Sequence, residues 1–258
     1  MKAYLSEILK RKDLIAYLVK SGLKAEHRNS FLGYFWWLLD PLLGALVYYF
    51  LIVIVLGRGG ENFAVYLVIG QVAWRWTSSA VSSSTRAILQ YSSIIQQVNL
   101  PKVIFPITRT LSQLINFMFG LIVVALFLVA FGIIPQANIL YLPLIVIVQL
   151  LFLMTISILV SYISVFIRDI GNVTSHILRI WFYASPVIWE GSRLPEAYRW
   201  IETFNPMSYI LNGYRNILMY GQAPNIAVLL MIGFLCLLAT AALIYYYSHN
   251  EHKIIKAL

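Results

Sequence analysis

Charged residues are scarce in this chain. Of its 258 residues, 11% are Asp, Glu, Lys or Arg, whereas a soluble domain carries about 25%. Apolar residues make up 60% of the sequence, and the mean hydropathy is +0.79. So few charges cannot keep a globule in water, which excludes a soluble enzyme, a disordered protein and a secreted disulfide scaffold. The composition predicts an all-α, polytopic membrane protein.

Motifs for catalysis, metal binding and nucleotide binding are missing as well. The single cysteine, Cys236, excludes a disulfide within the chain, and the 4 histidines are scattered without a His-Glu-x-x-His motif. There is no Gly-x-x-x-x-Gly-Lys-Ser/Thr loop, so the chain does not hold ATP in that way. We therefore expect no catalytic residue, no metal site and no cofactor in this chain.

What the sequence does contain is a series of long apolar stretches. Six of them approach or exceed the length of about 20 residues that a helix needs to cross a bilayer. They span residues 31–56, 63–81, 104–134, 139–167, 172–189 and 226–247. The fifth is the weakest, because Asn172, His176 and Arg179 interrupt it. The sequence therefore predicts an N-terminal segment, residues 1–30, followed by a six-helix transmembrane domain, residues 31–258.

The positive charges indicate an orientation. The 19 Lys and Arg outnumber the 10 Asp and Glu, which gives a net charge of +9. If the N-terminus is cytoplasmic, most of the basic residues fall on the inner side, and the outer segments hold Arg58, Arg193, Arg199 and Arg215. This distribution follows the positive-inside rule. We therefore expect both termini in the cytoplasm.

Two segments outside the spans have an amphipathic pattern. In residues 1–30, apolar residues recur at helical spacing, which predicts a helix in the headgroup plane that orients the chain or also docks a cytoplasmic partner. In residues 190–222, two apolar halves flank Asn205-Pro206, and each half, at about 12 residues, is too short to cross. Backbone that enters a membrane without crossing must be covered by protein or line water. We predict an outer re-entrant helical hairpin, with two surface-lying helices as the alternative.

Four charges lie inside the predicted spans, where charge is costly. They are Asp40, Arg75, Arg109 and Arg179. At a rise of 1.5 Å per residue, Asp40 and Arg75 lie at a similar depth of roughly 14 Å. Two interpretations stay open. Asp40 pairs with Arg75 while the other arginines reach the inner headgroups, or some arginines contact an anionic phosphate in transit, since guanidinium binds phosphate oxygens bidentately.

The inner loop at residues 82–103 has a helical pattern of its own. Thr85 to Gln97 contains no Gly or Pro, which predicts a short helix that ends before Asn99-Leu100-Pro101-Lys102. A second, tighter inner turn surrounds Arg168 and Asp169.

Several motifs together resemble one family. They are Leu32-Gly33-Tyr34-Phe35-Trp36-Trp37-Leu38-Leu39-Asp40-Pro41, Trp76-Thr77-Ser78-Ser79, Asn99-Leu100-Pro101-Lys102, Phe166-Ile167-Arg168-Asp169-Ile170, Phe182-Tyr183-Ala184-Ser185-Pro186-Val187-Ile188-Trp189, Asn205-Pro206 and Gly213-Tyr214-Arg215. In order and spacing they resemble the permease subunit of polysaccharide-exporting ABC transporters, over nearly the whole chain. Arg58-Gly59-Gly60, Trp189 and the Gly-Tyr-Arg motif are more similar to the teichoic-acid branch than to the O-antigen branch.

The resemblance implies partners and a function. Two copies form a channel, and a separate ATP-binding-cassette ATPase subunit, which holds ATP and Mg, docks on each copy. Lipid-linked cell-envelope polysaccharide, teichoic acid first and O-antigen next, passes from the inner to the outer face of a bacterial cytoplasmic membrane. We expect no nucleic acid partner and no enzymatic activity in the chain itself. Residues 1–30 match an interface helix of this family, and residues 190–222 match its outer re-entrant pair.

The resemblance also assigns site residues. The elements that couple to the ATPase contain Thr85, Arg86, Gln97, Arg168 and Asp169. The candidates for the substrate path are Tyr34, Trp36, Trp37, Trp74, Trp76, Arg75, Arg109 and Arg179. For each aromatic, an ordinary interfacial belt is the alternative.

Two other functions stay open at this point. One is a drug or lipid exporter permease, which leaves the residues 190–222 and the many aromatics unexplained. The other is a membrane-embedded glycosyl or phosphoglycosyl transferase, whose outer carboxylates would be Glu61, Glu190, Glu196 and Glu202. Co-purification with an ATPase distinguishes the transporters from the transferase.

Overall fold

The computed structural model describes residues 2–27, 33–98, 100–191 and 194–258. Every regular element within these ranges is helical, which confirms the all-α prediction. The α-helices are α1 (Lys2–Lys10), α2 (Lys12–His27), α3 (Trp36–Tyr49), α4 (Phe63–Ser84), α5 (Ser92–Gln97), α6 (Ile104–Ala130), α7 (Leu142–Phe166), α8 (Ile170–Ala184), α9 (Arg199–Phe204), α10 (Pro206–Leu218) and α11 (Ile226–Ala257). A π-helical turn, Phe50–Val55, extends α3.

Within the described ranges, 4 helical segments are long and apolar enough to cross a membrane. They are Trp36–Val55, Ile104–Ala130, Ala137–Phe166 and Ile226–Ala257. The predicted spans at 63–81 and 172–189 correspond to α4 and α8, which are not among them. With 15 residues, α8 is about 22 Å long, shorter than a hydrocarbon core of about 30 Å. The six-span count is therefore not confirmed and stays a prediction.

The helix α4 lies at the centre of the bundle. It packs against α3, α6, α7, α8 and α10. Gly120 lets α6 approach closely, because a Cβ at that position would lie 2.7 Å from Val72 Cγ1. The buried Gln149 of α7 donates from Nε2 to the Ala73 carbonyl at 3.0 Å and to Thr77 Oγ1 at 3.1 Å. Protein thus surrounds most of this helix, which has less need of the apolar surface that lipid demands.

A second hydrophobic cluster joins both ends of the chain to the loop before α6. Its buried members are Ile8, Ala87, Ile88, Ile95, Val103, Ile104, Phe105, Ile158, Val165, Tyr247 and Ile254. The N-terminal segment predicted at 1–30 forms two helices with a turn at Arg11, and α2 packs against α6. Residue 1 and residues 28–30 of that segment lie outside the described ranges. We call this side of the molecule the α5 end and the opposite side the α10 end.

The helix predicted at Thr85 to Gln97 is shorter in the structure. Turns occupy residues 85–88, a 3₁₀ turn spans Leu89–Tyr91, and α-helix is limited to α5. Packing explains the difference. Ile88 is fully buried, and the Tyr91 ring stacks on Phe105 with centroids 4.9 Å apart. The chain bends to bring these side chains against α6, which a straight helix of that length would not do.

The α10 end contains the two short helices expected around Asn205-Pro206. Asn205 caps α10, since its Oδ1 accepts from the Met207 backbone N–H at 3.0 Å. The same oxygen accepts from Trp181 Nε1 at 3.0 Å, and Asn205 Nδ2 donates to Ser185 Oγ at 2.8 Å. One amide side chain therefore joins the start of α10 to the end of α8. The structure gives these helices, and whether they enter a membrane stays a prediction.

Arg215 stabilises the non-helical backbone after α8. Its side chain is fully buried and donates to the carbonyls of Pro186 and Val187, the second at 2.9 Å. The guanidinium carbon lies 3.4 Å from the centroid of the Tyr66 ring, a cation–π contact. Gly70 leaves room for this arrangement, because a Cβ there would lie 2.6 Å from both Arg215 Nη2 and the Val187 carbonyl oxygen.

We predict that Gly70→Ala destabilises the protein by about 1–3 kcal/mol, the range of overpacking in a well-packed interior. Gly44→Ala is the matched control, because its Cβ would meet Gln71 Oε1 at 3.4 Å, an ordinary contact. Thermal unfolding of the purified protein in detergent measures the difference. Equal melting temperatures for the two variants would contradict this account of Arg215.

Candidate functional site

A cavity lies between α3, α4 and α6. We call it the α3–α6 cavity, and its volume is about 280 Å³. It is lined by Trp36, Trp37, Asp40, Pro41, Val72, Arg75, Trp76, Ser79, Gln113, Asn116, Phe117 and Gly120. The structure thus brings together five residues that the sequence analysis singled out, three tryptophans and two charges.

An ion pair forms part of the wall of the α3–α6 cavity. Arg75 Nη2 donates to Asp40 Oδ2, and the two side chains are 46% and 29% exposed. Next to them, Asn116 Nδ2 donates to Gln113 Oε1 at 2.9 Å. The cavity therefore combines one positive charge, one negative charge and two amides.

Aromatic rings form much of the remaining wall. The Trp76 ring stacks on Phe117 with centroids 4.4 Å apart, and Trp37 lies 4.8 Å from Phe119. Trp36 is 38% exposed, whereas Trp37 and Trp76 are buried. Tyr34 falls in a 3₁₀ turn, but its side chain lies outside the described part of the chain.

A more open cleft of about 410 Å³ lies between α3, α4 and α8. We call it the α4–α8 cleft. It is lined by Tyr48, Gln71, Trp74, Ser78, Ser82, Ser175, Leu178, Arg179, Phe182 and Tyr183. Trp74 is buried there and packs edge-on against Trp181, at 5.5 Å between centroids. Polar residues of α4 and α8 thus face one cleft, and Arg179 brings a positive charge to it.

Arg109 lies in neither space. Its Nη2 donates to Gln90 Oε1, and its guanidinium lies 5.8 Å from the centroid of the Tyr91 ring. A Cβ on Gly22 of α2 would come within 3.9 Å of Arg109 Nη1. The arginine therefore links α6 to the loop before α5, beside α2.

The residues assigned to coupling all lie at the α5 end. Thr85 is buried, and its Oγ1 donates to the Ser82 carbonyl at 2.7 Å. A Cβ on Gly171 would lie 3.8 Å from that hydroxyl, so the start of α8 lies close to the end of α4. The remaining four side chains are exposed at this end. They are Arg86, Gln97, Arg168 and Asp169.

Sequence reasoning missed a buried polar network at the α5 end. Glu251 of α11 accepts from the Tyr4 hydroxyl at 2.6 Å, from the Lys102 backbone N–H at 2.8 Å and from Lys102 Nζ at 3.3 Å. The Lys102 side chain is 1% exposed. Burial and the Glu251 carboxylate raise the pKa of Tyr4 above its ordinary range, so the phenol stays a donor. One sequence signal existed, since Glu251 is the sole carboxylate in residues 226–258.

Sequence reasoning also missed the roles of Arg215 and Gln149. Gln149 lies in an uninterrupted apolar stretch, and its Oε1 accepts from the Tyr214 hydroxyl at 2.8 Å. Tyr214 and Arg215 are adjacent in sequence but bind different parts of the bundle. Tyr214 binds Gln149 of α7, and Arg215 binds the backbone that follows α8. A lone amide inside an apolar run was the available signal, because such groups need a partner within the membrane.

The described residues thus form an all-helical bundle with four helical segments long and apolar enough to cross a membrane, a cavity beside α3 and α6 and a cleft beside α8. Residues 13–219 match the family described as ABC-2 type transporter, and the chain belongs to that family. The resemblance to an ABC transporter permease is thereby confirmed at the level of the family.

Several relatives carry the name O-antigen export system permease protein RfbA. One from Klebsiella pneumoniae is 29% identical over 210 residues, which is 81% of each chain. Another from the same organism is 28% identical over 226 residues, 86% of this chain and 87% of its own length. One from Myxococcus xanthus is 29% identical over 221 residues, 85% of each chain.

We predict that Glu251→Ala destabilises the protein by about 3 kcal/mol, because it leaves the Lys102 ammonium buried without its carboxylate. Glu251→Gln retains acceptors for Tyr4 and the Lys102 backbone and is expected to lose less. The control is Glu196→Ala, since the Glu196–Arg199 pair is exposed and worth little. Denaturant unfolding in detergent orders the three variants. A denaturation midpoint for Glu251→Ala equal to that of Glu196→Ala would refute the network.

Proposed function

We propose that this chain is the permease subunit of an ATP-driven exporter of lipid-linked cell-envelope polysaccharide. The observation that carries the proposal is the match to ABC-2 type transporters over residues 13–219, together with relatives named O-antigen export permeases that cover more than four-fifths of the chain. These names favour an O-antigen-like polymer. The preference for teichoic acid receives no support from these relatives and stays a prediction drawn from the Arg58-Gly59-Gly60, Trp189 and Gly213-Tyr214-Arg215 motifs.

The proposal includes six crossings of a bacterial cytoplasmic membrane with both termini in the cytoplasm. In this arrangement α4 and α8 supply the second and fifth crossings. A helix surrounded by lipid must be apolar on all sides. Protein surrounds α4 on most sides, so α4 can cross the membrane although it is less apolar. The helices α9 and α10 then form the outer re-entrant pair, and α1 and α2 lie along the inner headgroups.

The proposal also includes a second copy of the chain. Gln71, Ser78 and Ser82 of α4 face the α4–α8 cleft together with Ser175 and Arg179 of α8. Ser78 and Ser175 donate to carbonyls of their own helices, but lipid beside Arg179 would place its charge in hydrocarbon, which is costly. A second copy that covers the cleft gives the polymer a continuous aqueous path, with Arg179 beside it. Trp74 is packed among other rings and contributes to the wall.

Coupling to ATP hydrolysis is assigned to the α5 end. A separate ATPase subunit, which holds the ATP and Mg, contacts the exposed side chains Arg86, Gln97, Arg168 and Asp169. The closeness of Thr85 and Gly171 supports this assignment, because a Cβ on Gly171 would lie 3.8 Å from Thr85 Oγ1 and a displacement of either loop would therefore affect both α4 and α8. A nucleotide-dependent shift of these loops then favours one of two states of the path.

Proline in α5 tests the coupling. Gln96 is exposed within α5, so Gln96→Pro breaks the helix without removing a buried contact, whereas Gln96→Ala keeps the helix. We expect Gln96→Pro to reduce export to background while the co-purified ATPase still hydrolyses ATP. Gln96→Ala should export normally. Equal export by the two variants, or failure of any ATPase to co-purify with the wild-type chain, would count against the proposed function.

Cysteine labelling tests the topology. In a Cys236→Ala background, Arg199→Cys in α9 should react with a membrane-impermeant maleimide on intact cells, or on spheroplasts where an outer membrane blocks the reagent. Lys253→Cys, which is exposed near the end of α11, should react after the membrane is opened. The reverse pattern would overturn the orientation.

A further inference from the structure

One side of α11 is exposed along most of its length. The helix is long and apolar enough to cross a membrane. Through its apolar part, residues at a spacing of three or four lie on this one side. They are the exposed residues Met231, Phe234, Leu235, Leu238 and Ala242. A long apolar face without a protein neighbour on such a helix is typical of a surface that contacts lipid tails.

The same side of α11 becomes basic after Tyr245, which is exposed as well. The helical spacing continues through four exposed residues, which we call the basic part of this side. They are His249, His252, Lys253 and Lys256. We call the apolar and the basic part together the α11 stripe. A face that changes from apolar to basic suits a helix that passes from hydrocarbon to anionic headgroups.

The length of the apolar segment determines the depth at which this change occurs. Residues 226–247 form about 33 Å of helix, enough to cross a hydrocarbon core of about 30 Å. His249 and Lys253 lie about 3 Å and about 9 Å beyond that segment, and the polar layer of a bilayer is about 5–8 Å deep on each side. Tyr162 of α7 packs against Tyr246 with ring centroids 5.2 Å apart, and tyrosines are enriched at this boundary. The basic part therefore lies at the level of the headgroups.

The opposite face of the same helical turns is fixed by protein. Tyr247 and Ile254 are buried there. Glu251, the sole carboxylate side chain in residues 226–258, accepts from the Tyr4 hydroxyl and from Lys102. These contacts keep α11 from turning about its axis. The basic part therefore points away from the bundle, and the carboxylate on the far side does not neutralise it.

A second copy of the chain and the ATPase suit the α11 stripe less well than lipid does. A two-fold contact along the stripe would bring the lysines of one copy against those of the other. An ATPase accounts for the basic part alone, because the apolar part is the length that crosses the membrane. Lipid accounts for both parts, with its tails along the apolar residues and its headgroups beside the basic ones.

We propose that the basic part of the α11 stripe is a binding surface for the headgroups of anionic phospholipids in the inner leaflet. The ammonium groups of its two lysines bind the phosphate oxygens. Glu251 lies on the same turns of helix, so bound headgroups also hold α11 against Lys102 and stabilise the loop before α6. The inference rests on the proposed function for the choice of leaflet, since that function places both termini in the cytoplasm.

Hydrogen–deuterium exchange of the full chain in nanodiscs tests the surface. One set of nanodiscs contains phosphatidylcholine alone, and the other contains phosphatidylglycerol as well. Mass spectrometry follows the amides of residues 248–257, the last turns of α11. Lys253→Gln/Lys256→Gln removes both lysine charges, and Lys253→Arg/Lys256→Arg keeps them. The matched control is Arg58→Gln/Arg199→Gln, which removes two exposed charges outside α11.

We expect phosphatidylglycerol to slow the exchange of residues 248–257 about thirtyfold in the wild type, the effect of two lysines beside an anionic surface. The Gln pair should lose most of this slowing, whereas the Arg pair and the control should retain it. High salt should reduce the slowing, because the lysines and the headgroups are exposed to solvent. The amides of α10 are the internal reference and should exchange equally in both kinds of nanodisc.

Equal exchange rates in the two kinds of nanodisc would overturn the lipid surface, and so would slowing that the Gln pair retains. Slowing by inorganic phosphate in phosphatidylcholine nanodiscs would assign the basic part to a free anion, and slowing by an added ATPase alone would assign it to that subunit. Either result contradicts the proposal. The measurement needs neither export nor ATP hydrolysis, so a negative result leaves the permease assignment standing. Reversed labelling of Lys253→Cys would instead overturn the orientation alone.

Discussion

The rest of the bundle depends on the hydrogen bonds of the buried Gln149 amide, which join α7 to α4 and to α10. Its nitrogen donates to α4 at Ala73 and Thr77, and its oxygen accepts from Tyr214 of α10. In hydrocarbon, each polar group needs a partner from protein, and this single side chain provides for three helices. These bonds fix the position of α4. Because α4 lines both the cavity and the cleft, they also fix where those two spaces lie.

The two spaces beside α4 differ in charge, which suits them to different ligands. In the α3–α6 cavity the arginine has a carboxylate partner within the same wall, while Arg179 brings a positive charge to the α4–α8 cleft. The paired charges of the cavity attract an anion less strongly than the guanidinium in the cleft does.

The sequence predicts the long apolar helices better than the polar ones. The apolar runs of α6, α7 and α11 agree in position with helical segments long enough to cross a membrane. The polarity of α4 reflects its protein neighbours, which a single sequence does not reveal, whereas the polar side chains of α8, among them Ser175 and Arg179, are exposed. The rise per residue of a helix predicts that Asp40 and Arg75 lie at a similar depth. That prediction needs only the sequence.

Contacts between distant parts of the chain were beyond prediction. Glu251 and Lys102 are separated by 149 positions, and no periodicity relates them. The same holds for Arg215, whose acceptors are backbone carbonyls that leave no trace in the sequence. A motif such as Gly-Tyr-Arg shows which residues matter, but the partners of Tyr214 and Arg215 come from three-dimensional packing alone.

The close approach at Gly70 has a consequence for how this protein can change over evolutionary time. A side chain at position 70 excludes the guanidinium of Arg215, and loss of that guanidinium leaves the carbonyls of Pro186 and Val187 without their donor. Residues 70 and 215 therefore constrain each other's substitutions. Neither can drift while the other stays, and an intermediate that alters one of them passes through a less stable protein.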